Sequence, residues 1–345
     1  MVLRHKDIIN KIKQQLDKEN PKIVIVTHYN PDGDAIGSML GLYLFLKQNG
    51  YEVTAISPDD FPHFLHWMDG VEDLLIHYSH NTRVKKAVAD ADIIFMVDFN
   101  HPDRLNRLSN TITVSSAIKI LIDHHPHPHD FADIILSDTT VSSTAELIYE
   151  LIAGLKNVEI LNTNVAECLY CGIMTDTGGF SFNSSQPGTY HIVSNLLKSG
   201  INKDAIFSKV YENYSMERMH LMGYCLNEKM VVKDEFHTAF IALTQPELEK
   251  FKHQPGDTEG FVNLPFSIRN IVFSILLIEK KDHIKLSFRS KNSFPANDFS
   301  KQHFNGGGHK NAAGGKSFSS MAETIEKLLN LLPQYKNELD NAIFS

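Results

Sequence analysis

Residues 22–38 read Lys-Ile-Val-Ile-Val-Thr-His-Tyr-Asn-Pro-Asp-Gly-Asp-Ala-Ile-Gly-Ser. The apolar, β-branched run at the start predicts a buried parallel strand, and the turn residues Asn30, Pro31 and Gly33 predict that the strand ends abruptly. Apolar residues then recur at helical spacing up to Gly50, which predicts a helix that ends just before that glycine. A strand that turns into a helix in this way is typical of open α/β sheets, which bind ligands beyond the carboxyl ends of their strands.

The loop between this strand and this helix carries three side chains of the types that bind metal ions. His28 follows the apolar run, and Asp32 and Asp34 lie in the turn. A turn with a capping aspartate would explain the Asp-Gly-Asp sequence by itself. The histidine four residues before the first aspartate favours a metal site instead, because it adds a nitrogen ligand at the same sheet edge.

An element that ends in a carboxylate recurs three more times. Asp98 follows an apolar run, Asp123-His124-His125 follows the next run, and Asp176 follows a helical pattern. Strand patterns that alternate with helical patterns predict an α/β fold with a doubly wound, mainly parallel sheet. The carboxyl edge of such a sheet would bring these ends together.

These elements supply two imidazoles and four carboxylates for metal binding. Mixed nitrogen and oxygen ligands suit two divalent ions, of which Mn²⁺ is favoured, with Mg²⁺, Co²⁺ and Zn²⁺ as alternatives. Two ions could clamp a phosphoryl oxygen. The candidate ligands are His28, Asp32, Asp34, Asp98, His124 and Asp176.

The composition limits the partners of the protein. The chain has 345 residues, of which 42% are hydrophobic, and a formal net charge of −8. It therefore lacks the general basic surface that binds long duplex nucleic acid. No apolar run is long enough to span a membrane, so we expect a cytoplasmic protein without membrane partners. Cys168 and Cys171 form a lone C-x-x-C, which we interpret as core packing because two further zinc ligands are not evident.

The character of the chain changes after about residue 190. We predict an α/β metal-binding domain over 1–190, a helical connector over 191–229, and a second, smaller α/β domain over 230–345. Residues 58–83 show no clear pattern. The strand patterns of the second domain lie at 230–233, 237–243, 271–279 and 283–289.

A glycine-rich stretch, Gly306-Gly307-Gly308-His309, follows these strands. Consecutive glycines let the backbone approach an anion and expose its N–H groups, and a histidine can add a donor. Arg289, upstream, carries a fork suited to bidentate phosphate recognition. A flexible loop is the alternative interpretation, but the position just after the strand of Arg289 favours anion binding.

The motifs at 28–38, Asp98, 123–125 and 175–177 resemble, in this order, the four motifs of the DHH phosphoesterase superfamily. The glycine-rich stretch, with the arginine before it, resembles the DHHA1 domain that follows the DHH domain in one branch. Each motif is weak alone, whereas the ordered set is specific and covers nearly the whole chain.

The resemblance implies a role for each candidate residue. It implies two metal sites that share a bridging, catalytically essential carboxylate: His28 with Asp32, Asp34 with His124 and Asp176, and Asp98 between them. His125 would contact the scissile phosphate or protonate the leaving group, and Asp123 would orient an imidazole. Arg289 and the stretch Gly306–His309 would grip substrate in a cleft between the two domains.

The two-domain layout is most similar to the bacterial nanoRNases and pAp phosphatases. This implies a phosphoesterase that cleaves very short oligonucleotides to mononucleotides and converts the nucleoside bisphosphate 3′-phosphoadenosine 5′-phosphate to AMP. A soluble phosphodiesterase for linear or cyclic dinucleotides and a hydrolase of polyphosphate or pyrophosphate are the alternative enzymes. A nucleotide-binding module without turnover is the alternative outside enzymes, and a homodimer is left open.

Overall fold

Strand β1, Lys22–Val26, forms in the apolar run that the sequence marks as a buried strand. It pairs in parallel with strands on both sides, so its residues face apolar layers above and below. Ile23 and Ile25 join one hydrophobic cluster, and Val24 and Val26 join another. A strand buried on both faces needs an uninterrupted apolar run, which is what residues 23–26 provide.

The structure, a computed structural model, describes residues 4–156 and 161–344. The chain falls into two compact units, of which the first ends at Asn213 and the second begins at Tyr214. This division falls inside the helical connector predicted for 191–229, and the limits of that connector stay a prediction. No described helix has both the length and the apolar character that crossing a bilayer requires.

The first unit alternates strands and helices along the chain. Its strands are β1 Lys22–Val26, β2 Glu52–Ser57, β3 Leu75–Ile76, β4 Ile93–Val97, β5 Ile118–Asp123 and β6 Ile134–Ser137. Its helices are α1 Lys6–Leu16, α2 Gly33–Gln48, α3 His77–Ala89, α4 Ser109–Thr113, α5 Thr144–Leu155, α6 Thr163–Asp176, α7 Pro187–Lys198 and α8 Lys203–Tyr211.

The six strands form one parallel sheet in the order β3-β2-β1-β4-β5-β6. This order confirms the predicted doubly wound α/β fold. The order reverses between β1 and β4, which is the switch point where such sheets bind ligands. Val26 pairs with Met96, and Val97 pairs with Ile122, so the residues that follow β1, β4 and β5 emerge side by side.

Helices cover both faces of this sheet. Helices α1, α2, α5 and α6 contribute to the cluster on the face of Ile23 and Ile25. Helices α3 and α4 contribute to the cluster on the face of Val24 and Val26. Both cysteines of the C-x-x-C sequence are buried and unpaired in α6, which confirms their assignment to core packing.

The second unit is a mixed sheet with helices around it. Its strands are β7 Met230–Lys233, β8 Thr238–Leu243, β9 Phe273–Glu279, β10 Ile284–Ser290, β11 Gly307–His309 and β12 Ala312–Ser317. Its helices are α9 Met216–Tyr224, α10 Gln245–Lys250, α11 Ala296–His303, α12 Met321–Leu331 and α13 Lys336–Phe344. The sheet order is β11-β12-β10-β9-β8-β7, with β8 and β9 parallel and the other pairs antiparallel.

Candidate metal centre

The structure brings the proposed ligands of the first unit together at the carboxyl edge of its sheet. His28 lies just after β1, Asp98 just after β4, and His124 just after β5. Asp32 is the N-cap of α2, and its Oδ1 accepts hydrogen bonds from the amides of Asp34 and Ala35, each at 3.1 Å. The remaining two ligands also come from helix ends, since Asp34 lies in the first turn of α2 and Asp176 is the last residue of α6.

One group of candidate ligands consists of His28, Asp32 and Asp98. The Nε2 atom of His28 lies 3.4 Å from Oδ2 of Asp98 and 4.0 Å from Oδ2 of Asp32. These atoms surround one point with a nitrogen and two carboxylate oxygens, which is a donor set suited to a divalent transition metal.

The second group consists of Asp34, His124 and Asp176. The Nε2 atom of His124 lies 3.8 Å from Oδ2 of Asp34 and 3.5 Å from Oδ2 of Asp176. Asp98 lies between the two groups, because its Oδ1 is 3.7 Å from Nε2 of His124 while its Oδ2 faces His28. One carboxylate therefore presents one oxygen to each group.

The environment of His28 fits a metal ligand. Its Nδ1 lies 2.9 Å from the carbonyl oxygen of Tyr29, and a carbonyl only accepts, so Nδ1 carries the proton. The buried Nε2 has no hydrogen-bond partner in the described part of the chain. It therefore presents a lone pair toward Asp32 and Asp98. A histidine oriented by a backbone carbonyl through its other nitrogen is the usual arrangement around bound metals.

Burial and repulsion between neighbouring acids disfavour the ionised form of two carboxylates in this centre. Burial, together with the neighbouring charges of Asp98 and Asp176, raises the pKa of Asp34 well above its usual range. Burial and the charge of Asp32 also raise the pKa of Asp98 well above its usual range. Divalent cations would remove this penalty, since an opposite charge stabilises the ionised form. The residues present therefore fit two divalent ions.

The start of α5 holds two of these carboxylates in place. The amides of Thr144 and Ala145 donate to Oδ2 and Oδ1 of Asp34 at 2.6 and 2.9 Å. The hydroxyl of Thr144 donates to Oδ1 of Asp98 at 2.8 Å. Helix N-termini stabilise anions through free N–H groups and the helix dipole. Ser143 is the N-cap of this helix. The same segment also contacts the candidate ligands.

His125 lies beside the centre and contacts a second acidic group. Its Nδ1 is 2.7 Å from Oδ1 of Asp123 and 3.8 Å from Oδ1 of Asp98. Burial, followed by the neighbouring imidazole of His124, lowers the pKa of His125 well below its usual range. Asp123 is therefore in position to orient this imidazole, and that role stays a prediction.

Arg104 is a neighbour of the centre that the sequence alone does not indicate. Its carbonyl oxygen accepts a hydrogen bond from the amide of Tyr29 at 2.7 Å, which fixes it beside the β1 loop. After burial, its guanidinium is the largest influence that lowers the pKa of His28. No motif marks this residue, since it reaches the centre only through the fold.

The second unit places Arg289 and His309 at the same level of its sheet. Arg289 on β10 and His309 on β11 both pair with Ala312 on β12. The glycine-rich stretch differs from a flexible loop, because Gly307–His309 forms the edge strand β11. A Cβ atom on Gly306 would lie 1.9 Å from the carbonyl oxygen of Gly314. Close packing thus gives at least Gly306 a structural reason to be glycine.

Family models match both units of the chain. The model described as the DHH family, N-terminal domain, matches residues 22–173. The model of the DHHA1 domain matches residues 236–338. Together they cover all the candidate ligands except Asp176, and the strand β10 that carries Arg289.

Three similar proteins cover most of the chain. The Bacillus subtilis protein named bifunctional oligoribonuclease and PAP phosphatase NrnA is 28% identical over 301 residues, 86% of this chain and 90% of the relative. Its Thermus thermophilus namesake is 30% identical over 292 residues, 85% of this chain and 83% of the relative. A crystal structure of an exopolyphosphatase-related protein from Bacteroides fragilis has a TM-score of 0.92 and 43% identity, covering 97% of this chain and 98% of that one.

Proposed function

This chain belongs to the DHH family, and on that premise we propose that it is a manganese-dependent phosphoesterase for very short oligonucleotides. It would release mononucleotides from such oligonucleotides and convert 3′-phosphoadenosine 5′-phosphate to AMP. Similarity to proteins named as oligoribonucleases and PAP phosphatases supports hydrolysis of phosphoesters. The observation that carries the proposal is the position of Asp98, with one carboxylate oxygen toward each ligand group.

We assign the six candidate ligands to two metal sites. His28 and Asp32 would hold one ion, Asp34, His124 and Asp176 would hold the other, and Asp98 would bridge them. When bound, two such ions activate water and stabilise the negative charge that develops on the phosphoryl oxygens. The protein keeps the bridging carboxylate in one orientation through the hydroxyl of Thr144.

His125 is assigned to the scissile phosphate or the leaving group. Its bond to Asp123 fixes the ring orientation, so the imidazole does not have to be ordered when substrate binds. Its lowered pKa favours the neutral ring before substrate binds. The negative charge of a bound phosphate would raise that pKa again, which is what donation of a proton to the leaving group requires.

The second unit is assigned to substrate binding. Arg289 and the stretch Gly306–His309 provide a guanidinium fork, backbone N–H groups and an imidazole, all of which bind phosphate oxygens. They include no carboxylate that could hold manganese. A net charge of −8 fits a short substrate better than a long polyanion, because a polymer needs many phosphate contacts.

Polyphosphate hydrolysis is the second candidate function. The protein of known structure that is 43% identical is described as exopolyphosphatase-related. A pyrophosphatase-like or polyphosphatase-like enzyme would use the same metal chemistry but would gain nothing from a nucleoside. A dinucleotide phosphodiesterase would share the substrate class of the first candidate and differ in the preferred linkage.

One assay separates these functions. The purified protein is incubated with Mn²⁺ and dinucleotide, 3′-phosphoadenosine 5′-phosphate, linear pApA, pyrophosphate or polyphosphate, and kcat/KM is compared. We expect the nucleotide substrates to be hydrolysed with higher kcat/KM than either inorganic substrate. A higher value for polyphosphate would contradict the proposal and favour the second candidate.

A further inference from the structure

An exposed aromatic ring lies close in the chain to the metal centre. Phe182 follows the candidate ligand Asp176 by six residues, and its side chain is 47% exposed. Most large apolar side chains of this unit are buried in its two clusters. A phenylalanine that remains half in water six residues after a candidate ligand gives up burial energy unless something covers it.

The loop that carries this ring is closely tied to the end of α6. The amides of Ser181 and Phe182 both donate to the carbonyl oxygen of Thr177, at 2.9 and 3.1 Å. Phe180 adopts a φ of +66°, a left-handed conformation that is unfavourable for a bulky side chain. This backbone turns the chain back on itself, so that Phe182 returns to the residues that directly follow Asp176.

The ring of Phe182 lies on the backbone of Gly178. A Cβ atom on Gly178 would be 2.2 Å from Cε1 and 2.6 Å from Cζ of that ring. Gly178 itself has a φ of +54°, and its amide donates to the carbonyl oxygen of Thr175. One side of the ring therefore rests on the chain two residues from Asp176, and much of the rest faces solvent. No ring of the described residues pairs with it.

Asn183, the next residue of this loop, contacts the segment that precedes α5. Its Nδ2 donates to the carbonyl oxygen of Ser142 at 3.3 Å, and Ser142 precedes the helix start that holds Asp34 and Asp98. The residue next to Phe182 thus links this loop to the helix start that contacts two candidate ligands.

We propose that Phe182 is a stacking platform for a nucleobase of the substrate. This inference rests on the proposed function and narrows it, because it assigns a base-binding element to the centre where the phosphate is cleaved. Nucleobases stack on aromatic side chains, and every base offers a flat π face for this contact. Inorganic polyphosphate has no such face and gains nothing from the ring.

The chemistry of the phenylalanine ring also determines how strongly the platform would distinguish one nucleobase from another. Phenylalanine has no hydrogen-bond donor or acceptor, so it cannot distinguish one base from another by its edge. Stacking strength alone then gives a mild preference, with purines above pyrimidines because they offer a larger face. An enzyme that clears mixed short oligonucleotides benefits from such tolerance.

The test compares a normal substrate with one that lacks bases. kcat/KM is measured in Mn²⁺ for linear pApA and for the same dinucleotide with both bases replaced by hydrogen. The variants are Phe182→Leu, which keeps an apolar side chain on Gly178 but removes the ring, and Phe182→Trp, which keeps a ring. Phe318→Ala is the control, since Phe318 is 72% exposed and follows β12 at the end away from Ala312.

We expect Phe182→Leu to lose about 5- to 150-fold in kcat/KM for pApA, the range that loss of one stacked base gives. Phe182→Trp and Phe318→Ala should keep a kcat/KM for pApA within about twofold of wild type. On the abasic dinucleotide, all three variants should have a kcat/KM within about twofold of wild type. Equal losses on both substrates, or no loss on pApA, would overturn the platform while leaving the proposed function intact. A wild-type protein inactive on pApA would overturn both.

Discussion

Asp98 combines an unfavourable backbone with an unfavourable charge environment. Its φ of +67° lies in the left-handed region that non-glycine residues seldom adopt. Its amide nevertheless donates to the carbonyl oxygen of Ile122 at 3.0 Å, and its buried carboxylate lies among other acids. Such costs are retained mainly at functional sites. The conformation turns the carboxylate between the two histidines, which is the position that a bridging ligand requires.

Thr144 gives a test of how the bridging carboxylate is oriented. Thr144→Val keeps the shape of the side chain and removes the donor to Asp98. Loss of a partner that orients a ligand typically weakens metal affinity about 10- to 100-fold, and we expect a decrease of this size for Mn²⁺ measured by calorimetry. Thr144→Ser keeps the hydroxyl and should bind Mn²⁺ like wild type. Unchanged affinity in the valine variant, with an unchanged melting temperature, would show that the hydroxyl has no such role.

Replacement of His125 tests whether this residue takes part in proton transfer without holding a metal ion. His125→Ala should reduce the rate about 10²- to 10⁴-fold, the usual contribution of a positioned acid or base, while metal content is unchanged. His127→Ala is the control, because His127 is an exposed residue of the same loop between β5 and β6. Elemental analysis decides the assignment. Loss of one bound ion in His125→Ala would make His125 a ligand instead.

The sequence points to the six candidate ligands because each ends a strand or helix pattern that can be recognised locally. The structure brings the same six side chains into two neighbouring groups. Arg104 could not be assigned in this way, and the sequence favours a capping role for Ser142–Thr144, with hydroxyls near the site only as the less favoured alternative. Their contacts depend on where α5 and the segment after β4 lie against β1, which no local pattern specifies.

At the scale of elements, α2 and α6 approach each other through glycine. A Cβ atom on Gly37 would lie 2.5 Å from the carbonyl oxygen of Cys168 and 2.9 Å from the amide nitrogen of Gly172. Both atoms belong to the backbone and cannot rotate away. These helices carry Asp34 and Asp176, so their separation sets the distance between two candidate ligands.

Gly37→Ala should therefore affect stability and metal binding together. Overpacking of this kind costs about 1–3 kcal/mol, and we expect a lower melting temperature and weaker Mn²⁺ binding. Gly188→Ala is a matched control, since Gly188 lies in α7 with no atom within 4 Å of the added carbon. The control should melt at or above the temperature of wild type because alanine favours helix. Equal melting temperatures for both variants would contradict close packing at Gly37.

Strands and helices with longer sequence patterns are easier to predict than very short ones. The strand patterns at 230–233 and 283–289 correspond closely to β7 and β10. Residues 58–83, in contrast, hold the two-residue strand β3 and the start of α3. Strand β3 is defined by its pairing with β2, and a pair of residues carries no period. Strand β11 cannot be predicted from the sequence either, because its three residues include two glycines and have the composition of a loop.

At the scale of the whole molecule, the two units differ in the chemistry they carry. All six candidate ligands belong to the unit that ends at Asn213, and Arg289 belongs to the other. The parallel character of the first sheet could be predicted from alternating strand and helix patterns. Its strand order could not, because order depends on how the crossover helices pack rather than on any single segment.

Arg289→Ala tests the assignment of substrate binding to the second unit. We expect normal binding of both metal ions and a loss in dinucleotide kcat/KM of about 10- to 150-fold, the value of a hydrogen bond to a charged group. The loss should be smaller for bis-p-nitrophenyl phosphate, which has no second phosphate to be held. Arg269→Ala, at an exposed arginine of the same unit, is the control. Equal losses on both substrates would place Arg289 at the reacting phosphate itself.

The central claim is that two divalent ions, bridged by Asp98, hydrolyse short oligonucleotides. The most direct measurement is a titration of metal-free protein with Mn²⁺, in which bound manganese and turnover of pApA are followed together in wild type and Asp98→Asn. We expect turnover in wild type to appear only as the second ion binds, since a lone ion would stabilise one end of the displacement. The folded Asp98→Asn variant should remain inactive at saturating Mn²⁺. Full turnover with one ion per chain, or near-normal kcat in Asp98→Asn, would contradict the two-metal account.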